Sequence, residues 1–389
     1  MLTYSRQTIT QDDIDAVVDV LRSDCLTQGP RLPEFEQAVA SKVCARYAFA
    51  VNSATSALHI ACLALDLGPG DWLWTSPISF VASSNCGLYC GANLDFIDIE
   101  ESTGLISISA LTLKLEHAKI AGKLPKILVP VHLAGSSCDM DAIHGLSQLY
   151  GFAVVEDASH AIGGLYKGQP VGSCIYSDIT IFSFHPVKII TTGEGGMALT
   201  NDSLLAEKID KLRAHGIARN NFELNSPGPW YYEQQGLGFN YRMTELQAAL
   251  GFSQLKKLDH FVDRRQKLMK FYRNAIKDWN NIEFLVEPEY VYSSYHLAVL
   301  SLKNASPEQH FNLFKWMREN EIWVQLHYWP IHLNPHYKRL GFYNGQFPVA
   351  ENYGVSSFSI PLFPDLTVEQ QSNVLSTLRE GLAHTGLLG

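Results

Sequence analysis

The chain is short of charge. Of 389 residues only 18% are Asp, Glu, Lys or Arg, below the ~25% of an ordinary soluble domain, so part of what would be surface is expected to be buried, inside or against another subunit. Basic residues are fewer still than acidic ones. Thirty Lys and Arg stand against 39 Asp and Glu, for a net charge of −9, which argues against the clustered basic face that nucleic acid requires. No stretch approaches the ~18 uncharged apolar residues of a membrane span. The seven cysteines, Cys25, Cys44, Cys62, Cys86, Cys90, Cys138 and Cys174, are scattered with no C-x-x-C, a pattern of reduced thiols rather than a disulfide framework. Cys86 and Cys90 would share a helix face, where small packing residues are expected. The opening Met1-Leu-Thr-Tyr-Ser-Arg lacks the basic patch and apolar run of a secretory signal, and the expected compartment is the cytoplasm. Several motifs are missing too. Gly193-Glu-Gly-Gly is not G-x-G-x-x-G, and neither a P-loop nor a G-x-S-x-G nucleophile elbow occurs. His327, His332 and His336 are interrupted by Pro330 and Pro335 and fit no common zinc spacing.

What is present is apolar and alternating. Short apolar runs at Trp72–Thr75, Leu94–Asp98, Lys126–Val131, Phe152–Asp157 and Ile179–Phe184 are separated by helical patterns, such as Ser79–Tyr89 and one opening near Asp139. This predicts an α/β class with a mostly parallel sheet covered on both faces. The length exceeds what one core usually spans, so two domains are expected: residues 1–255 as a large α/β domain and 256–389 as a smaller α+β domain. Between them the sequence predicts one long helix, opened by a Thr244–Gln247 capping box and striped by Leu246, Leu250, Leu255 and Leu258, with Gly251 weakening it locally.

Three segments carry candidate chemistry. Lys188 follows a buried run in a stretch almost free of other charge, preceded by Ser183 and followed by the Gly193-Glu-Gly-Gly turn. An amine among apolar neighbours loses charge stabilisation and becomes available as a nucleophile, as a Schiff-base lysine requires. Asp157 and His160 close the apolar run Val154-Val-Glu-Asp-Ala-Ser-His, at the strand edge where open α/β sheets bind ligands; taken alone, the Asp reads equally well as a helix N-cap. Asn52-Ser-Ala-Thr-Ser-Ala-Leu-His59 opens a helix whose free N–H groups suit phosphate, though taken alone it reads better as an ordinary N-cap, and Phe80 reads as core unless something planar lies beside it. Phosphate donors, a stacking ring, an anion for a ring nitrogen and an amine for an imine together match pyridoxal 5′-phosphate.

Phe182-Ser-Phe-His-Pro-Val-Lys, Gly193-Glu-Gly-Gly, Val155-Glu-Asp-Ala-Ser-His-Ala, Asn52-Ser-Ala-Thr-Ser-Ala-Leu and Gly238-Phe-Asn-Tyr-Arg resemble the DegT/DnrJ/EryC1/StrS nucleotide-sugar aminotransferases, from about Tyr4 to the C-terminal helix. The resemblance implies a pyridoxal-phosphate transferase of fold type I, working as a homodimer with shared active sites. It implies Lys188 as the Schiff-base lysine, Asp157 as the partner of the pyridine nitrogen with His160 beside it, and Phe80 as the stacking ring. Ala54, Thr55 and Ser183 match phosphate-binding positions, Asn240 an Asn reaching the phosphate from the other subunit, and Glu194 an acid of the lysine motif without an assigned role. Tyr4, the turn Asp24, Cys25, Leu26 and Thr27, and Gln325, Leu326, His327 and Tyr328 would line the sugar-nucleotide site, with His327 at its mouth; Leu326 stands where relatives often carry Val. The implied reaction moves the amino group of L-glutamate to C4 of a UDP-linked 2-acetamido-2,6-dideoxy-4-ketohexose of β-L-arabino type, on the route to pseudaminic acid, and leaves 2-oxoglutarate. The alternatives are another keto sugar, a dehydratase on the same fold, against which Lys188 argues because those enzymes carry His there, and a noncatalytic regulatory protein.

Overall fold

The computed structural model describes residues 1–218 and 222–387. Its centre is a seven-stranded sheet of Tyr47–Val51 (β1), Trp72–Thr75 (β2), Asn93–Phe96 (β3), Ile127–Val129 (β4), Ala153–Asp157 (β5), Ile179–Ser183 (β6) and Gly196–Thr200 (β7). The spatial order is β1-β7-β6-β5-β4-β2-β3. Every pairing is parallel except those of β7, which runs antiparallel to both β1 and β6. β6 and β7 are buried at every residue, as expected of strands covered on both faces. The fold class read from the alternating runs is the one observed.

Register sets the site. Gly196 lies opposite Val51 on one side and Ser183 on the other, while Asp157 pairs with Ile181. The end of β1, the start of β7 and the ends of β5 and β6 therefore meet at one edge of the sheet. Two apolar clusters pack around this sheet. One is built on Leu58, Ile60, Trp74 and Phe96, the other on Phe35, Phe182, Phe184 and Met197.

Beyond the sheet, Ile282–Phe284 (β8), Ala298–Leu302 (β9) and Ser357–Ile360 (β10) form an antiparallel sheet in the order β8-β9-β10, around a third cluster that includes Tyr272, Leu300, Phe358 and Leu378. We propose that 1–255 and 256–389 are the two domains. The N-terminal segment crosses between them, because Leu2–Thr3 pairs in parallel with Ile322–Trp323.

Two expectations of detail are corrected. The helix expected over Ser79–Tyr89 begins only at Ala82, because Ser79 is engaged with Ser83 Oγ at 2.6 Å in the turn that follows Pro77. The single long helix is two, Glu245–Leu255 and Leu258–Ile276. Its capping box is present: Thr244 Oγ1 accepts from the Gln247 N–H at 3.3 Å and Gln247 Oε1 accepts from the Thr244 N–H at 3.0 Å. The break falls where Lys257 Nζ reaches Thr10 Oγ1 at 2.7 Å and the buried Asp13 carboxylate at 2.5 Å. Among the described residues no helix is long and apolar enough to cross a membrane, and no group of three or more His, Cys, Asp or Glu is arranged to hold a metal ion.

Candidate active site

Helix Ala54–Ala64 starts immediately beyond β1, capped by Ser53, whose Oγ accepts from the Ser56 N–H at 3.1 Å. The N–H groups of Ala54 and Thr55 lie in its first turn, where no intrahelical acceptor exists. They point their partial positive charge at the sheet edge. Gly196 makes this approach possible: a Cβ there would lie 2.4 Å from Ala54 N and 2.5 Å from the Ser53 carbonyl carbon. Both are backbone atoms, so the helix start would have to move. Gly196→Ala should lower stability by at least the ~1–3 kcal/mol of an overpacked core, and weaken phosphate-dependent cofactor binding about tenfold or more. A thermal melt and a cofactor titration check this, and unaltered cofactor affinity would refute it.

Asp157 closes β5 as a buried carboxylate. Its Oδ2 accepts from Ser83 Oγ at 2.5 Å and its Oδ1 from the Ser159 N–H at 3.2 Å. Lys188 sits in the turn after β6, its N–H donating to the His185 carbonyl at 2.9 Å. Burial pulls its ammonium down to about 8, with the nearby Asp157 carboxylate working in the opposite sense. Ser183 is buried at the end of β6. Phe80, by contrast, leaves 59% of its surface open, 6.4 Å from the Tyr328 ring. A large aromatic open beside an otherwise buried polar group is unusual for a core residue.

A group of imidazoles lies next to the lysine. His160 is buried; its Nδ1 accepts from the Ala134 N–H at 3.2 Å and its Nε2 lies 3.1 Å from Tyr328 Oη. Burial, then the neighbouring Lys188 and His327, hold it well below the usual imidazole range. His327 is not at a mouth. It is 7% exposed, Nδ1 lies 2.9 Å from Ser359 Oγ, and its ring meets Tyr4 edge-on at 4.7 Å. Burial and Lys188 push it down to about 3, which removes it as a cation for a diphosphate. His296 was not singled out from the sequence, where it only heads an apolar strand run. It is buried 4.5 Å from the His160 ring, its carbonyl held at 3.1 Å by the buried Arg265. Ser83 was missed too; the spacing of Ser79 and Ser83, one helical turn, is the only signal that could have found it.

The remaining expected positions are more spread. Tyr4 is brought in beside His327, next to Ser5, whose Oγ donates to the Val187 carbonyl at 3.0 Å. Asp24, Cys25, Leu26 and Thr27 form an exposed turn tied down by the Glu245 N–H donating to the Leu26 carbonyl at 3.1 Å. Gln325 pairs with Ser359 through the backbone, and its Oε1 accepts from Arg318 at 2.8 Å. Leu326 is half-buried beside it. Asn240 is exposed and bridged through the backbone to Ala214. Glu194 is exposed, with its carboxylate 3.9 Å from His185 Nε2.

The chemistry of this set fits pyridoxal phosphate. Free helix N–H groups and Ser183 suit the phosphate, the open Phe80 face suits a flat ring, the buried Asp157 suits a protonated ring nitrogen, and a low-pKa amine suits imine formation.

Residues 7–379 match the family model described as the DegT/DnrJ/EryC1/StrS aminotransferase family. The chain is 38% identical over 387 residues to the spore coat polysaccharide biosynthesis protein SpsC of Bacillus subtilis, covering 97% of this chain and 96% of that one. It is 37% identical over 380 residues to a UDP-4-amino-4,6-dideoxy-N-acetyl-β-L-altrosamine transaminase of Campylobacter jejuni, with the same coverage of 97% and 96%. Among solved structures it resembles Helicobacter pylori PseC, an aminotransferase involved in the biosynthesis of pseudoaminic acid. The TM-score is 0.91 at 31% identity, over 98% of this chain and 99% of that one. A sugar aminotransferase described as putative, Spr1654 of Streptococcus pneumoniae in its PMP form, gives a TM-score of 0.91 at 27% identity over 99% and 100%.

Proposed function

The chain belongs to the DegT/DnrJ/EryC1/StrS aminotransferase family and is a pyridoxal-phosphate-dependent sugar aminotransferase; from that premise we propose that it moves the amino group of L-glutamate to C4 of a UDP-linked 2-acetamido-2,6-dideoxy-4-ketohexose of β-L-arabino type, giving UDP-4-amino-4,6-dideoxy-N-acetyl-β-L-altrosamine. The observation that carries the chemistry is Lys188, a half-buried amine drawn down to about 8, at the same sheet edge as the buried Asp157 carboxylate. The sugar rests on the 37% identity to the altrosamine transaminase. A second reading, another nucleotide-linked keto sugar, is favoured by the equal likeness to SpsC, whose name specifies no substrate.

When bound, pyridoxal phosphate supplies an electron sink for the pair released as the Cα–H bond of the amino acid breaks. Ala54, Thr55 and Ser183 would hold its phosphate, Phe80 would cover one face of its ring, and Asp157 would keep a proton on its pyridine nitrogen. Lys188 Nζ takes the proton from Cα in the glutamate half and returns one to C4 of the sugar in the other. Tyr4, the Asp24–Thr27 turn and Gln325–Tyr328 border the sugar. Incubation with candidate UDP-4-ketosugars and glutamate, followed by NMR of the product, tests the assignment: amination of only a different keto sugar overturns the substrate, and no amination of any removes the reading.

The same proposal makes the working unit a homodimer in which Asn240 of the partner subunit reaches the phosphate. It is supported by the exposed apolar side chains in the segment that leads to Asn240, among them Trp230 at 74% and Leu237 at 82%, since such patches mark interaction surfaces. Asn240→Ala should weaken cofactor retention. Mixed with Lys188→Ala chains, it should recover roughly a quarter of the wild-type sites under random exchange in a twofold dimer, because one site of each heterodimer then has both residues intact. Confirmed subunit exchange with no recovery would rule out the shared site.

A further inference from the structure

The histidine beside Asp157 is wired in one direction. A backbone N–H can only donate, so the Ala134 N–H at 3.2 Å requires a lone pair on His160 Nδ1. The single proton of a neutral imidazole is then on Nε2, where Tyr328 Oη lies 3.1 Å away. His160 therefore donates and the phenol accepts. Tyr328 Oη has no second partner among the described residues, so its own proton is left for whatever binds between Phe80, Asp157 and Lys188. Burial, with Asp157 adding to it, raises the phenol above its ordinary range, so that proton stays in place.

The loop that aims the Ala134 N–H is fixed from both sides. Ala134 has a left-handed φ of 59° and Gly135 a φ of 99°. A Cβ on Gly135 would lie 2.7 Å from Ser294 Oγ and 2.8 Å from Tyr295 N. The Ser294 N–H donates to the Gly135 carbonyl at 3.1 Å, and Ser294 Oγ to the His160 carbonyl at 2.9 Å. Among the described residues, the charged or titratable side chains facing the His160 ring are Lys188, His296, His327 and Tyr328, and none of these supplies a carboxylate that would favour the imidazolium.

We propose that the Ala134 backbone locks His160 as the Nε2–H tautomer, and that this lock makes Tyr328 a fixed hydrogen-bond donor to the group bound over Lys188, with His160 its positioning residue. This rests on the aminotransferase reading of the site, but its first test does not. Long-range 1H–15N correlation on the cofactor-free protein should show His160 neutral and protonated on Nε2 at neutral pH. An Nδ1–H tautomer or an imidazolium there overturns the proposal.

The second test uses geometry. A glutamine amide can place its N–H2 near the Nε2 position, while an asparagine amide reaches only the Nδ1 position. His160→Gln should keep the single-turnover rate with glutamate and the cofactor affinity within about threefold of wild type, whereas His160→Asn and Tyr328→Phe should each lose about tenfold, the size of one hydrogen bond. Combining His160→Asn with Tyr328→Phe should cost no more than either alone. Additive losses, or a glutamine variant as impaired as the asparagine one, overturn the wiring. A wild-type protein with the expected tautomer but no glutamate half-reaction would instead count against the proposed function.

Discussion

Lys188→Ala should give a folded protein that takes up pyridoxal phosphate weakly and turns over at least about ten-thousandfold more slowly, because in the proposed assignment the substitution removes both the covalent anchor and the proton carrier. The fold should tolerate it. Lys188 makes no side-chain hydrogen bond among the described residues, and its charge is held against burial rather than by a salt bridge. The sign of its titration gives an independent check. Burial draws the ammonium from its ordinary 10.5 down to about 8, so the neutral amine is the minor form below that pH and the major form above it. The rate at which added pyridoxal phosphate attaches to the cofactor-free protein, followed by absorbance, should rise about tenfold per pH unit below 8 and level off above it. Borohydride reduction of the loaded protein should fix the label on Lys188, and a label on another lysine would remove the assignment.

That lysine was legible in the sequence because its environment is local: the buried strand before it and the glycine turn after it are neighbours in the chain. The same holds for helix starts, where Thr244 and Gln247 specify their own cap three residues apart, and for the strands, whose apolar runs are read one at a time. What could not be read is what strand register creates. Nothing near Ser183 announces that Gly196 and the start of helix Ala54–Ala64 will meet it; that follows from β7 lying antiparallel between β1 and β6. His296 is a buried imidazole only because β9 ends a connection that returns against His160. His327 is expected at the mouth of the sugar-nucleotide site, yet Tyr4 and Ser359, distant in the chain, enclose it. The helix break at Lys256–Lys257 was equally invisible, since the partner that draws Lys257 aside is Asp13, on the first helix.

Asp157→Asn isolates the carboxylate's charge from its role in the fold. The amide can keep both local bonds: its oxygen accepts from the Ser159 N–H, and its N–H2 donates to Ser83 Oγ, which can then donate to Ser79 Oγ, the two hydroxyls being 2.6 Å apart with either able to be the donor. Stability should therefore change by no more than about 1 kcal/mol, the net value of one hydrogen bond. The chemistry should not survive so well. If Asp157 faces the pyridine nitrogen as proposed, the neutral amide would no longer hold a proton there, and the electron sink that the cofactor would supply would be weaker. Removing one preorganised electrostatic partner of this kind costs roughly a hundredfold to a thousandfold in rate. The loss should fall on both half-reactions alike, because the ring is common to them, whereas a residue that only borders the sugar would spare the glutamate half. Ser83→Ala keeps the carboxylate and removes one of its two donors, so its loss should be about tenfold at most. Single-turnover absorbance changes with glutamate, and with the keto sugar in reverse, measure all three proteins. If Asp157→Asn runs the glutamate half at the wild-type rate, then the charge that governs the ring nitrogen lies elsewhere, and the buried Asp157–Ser83 pair is a device of the fold.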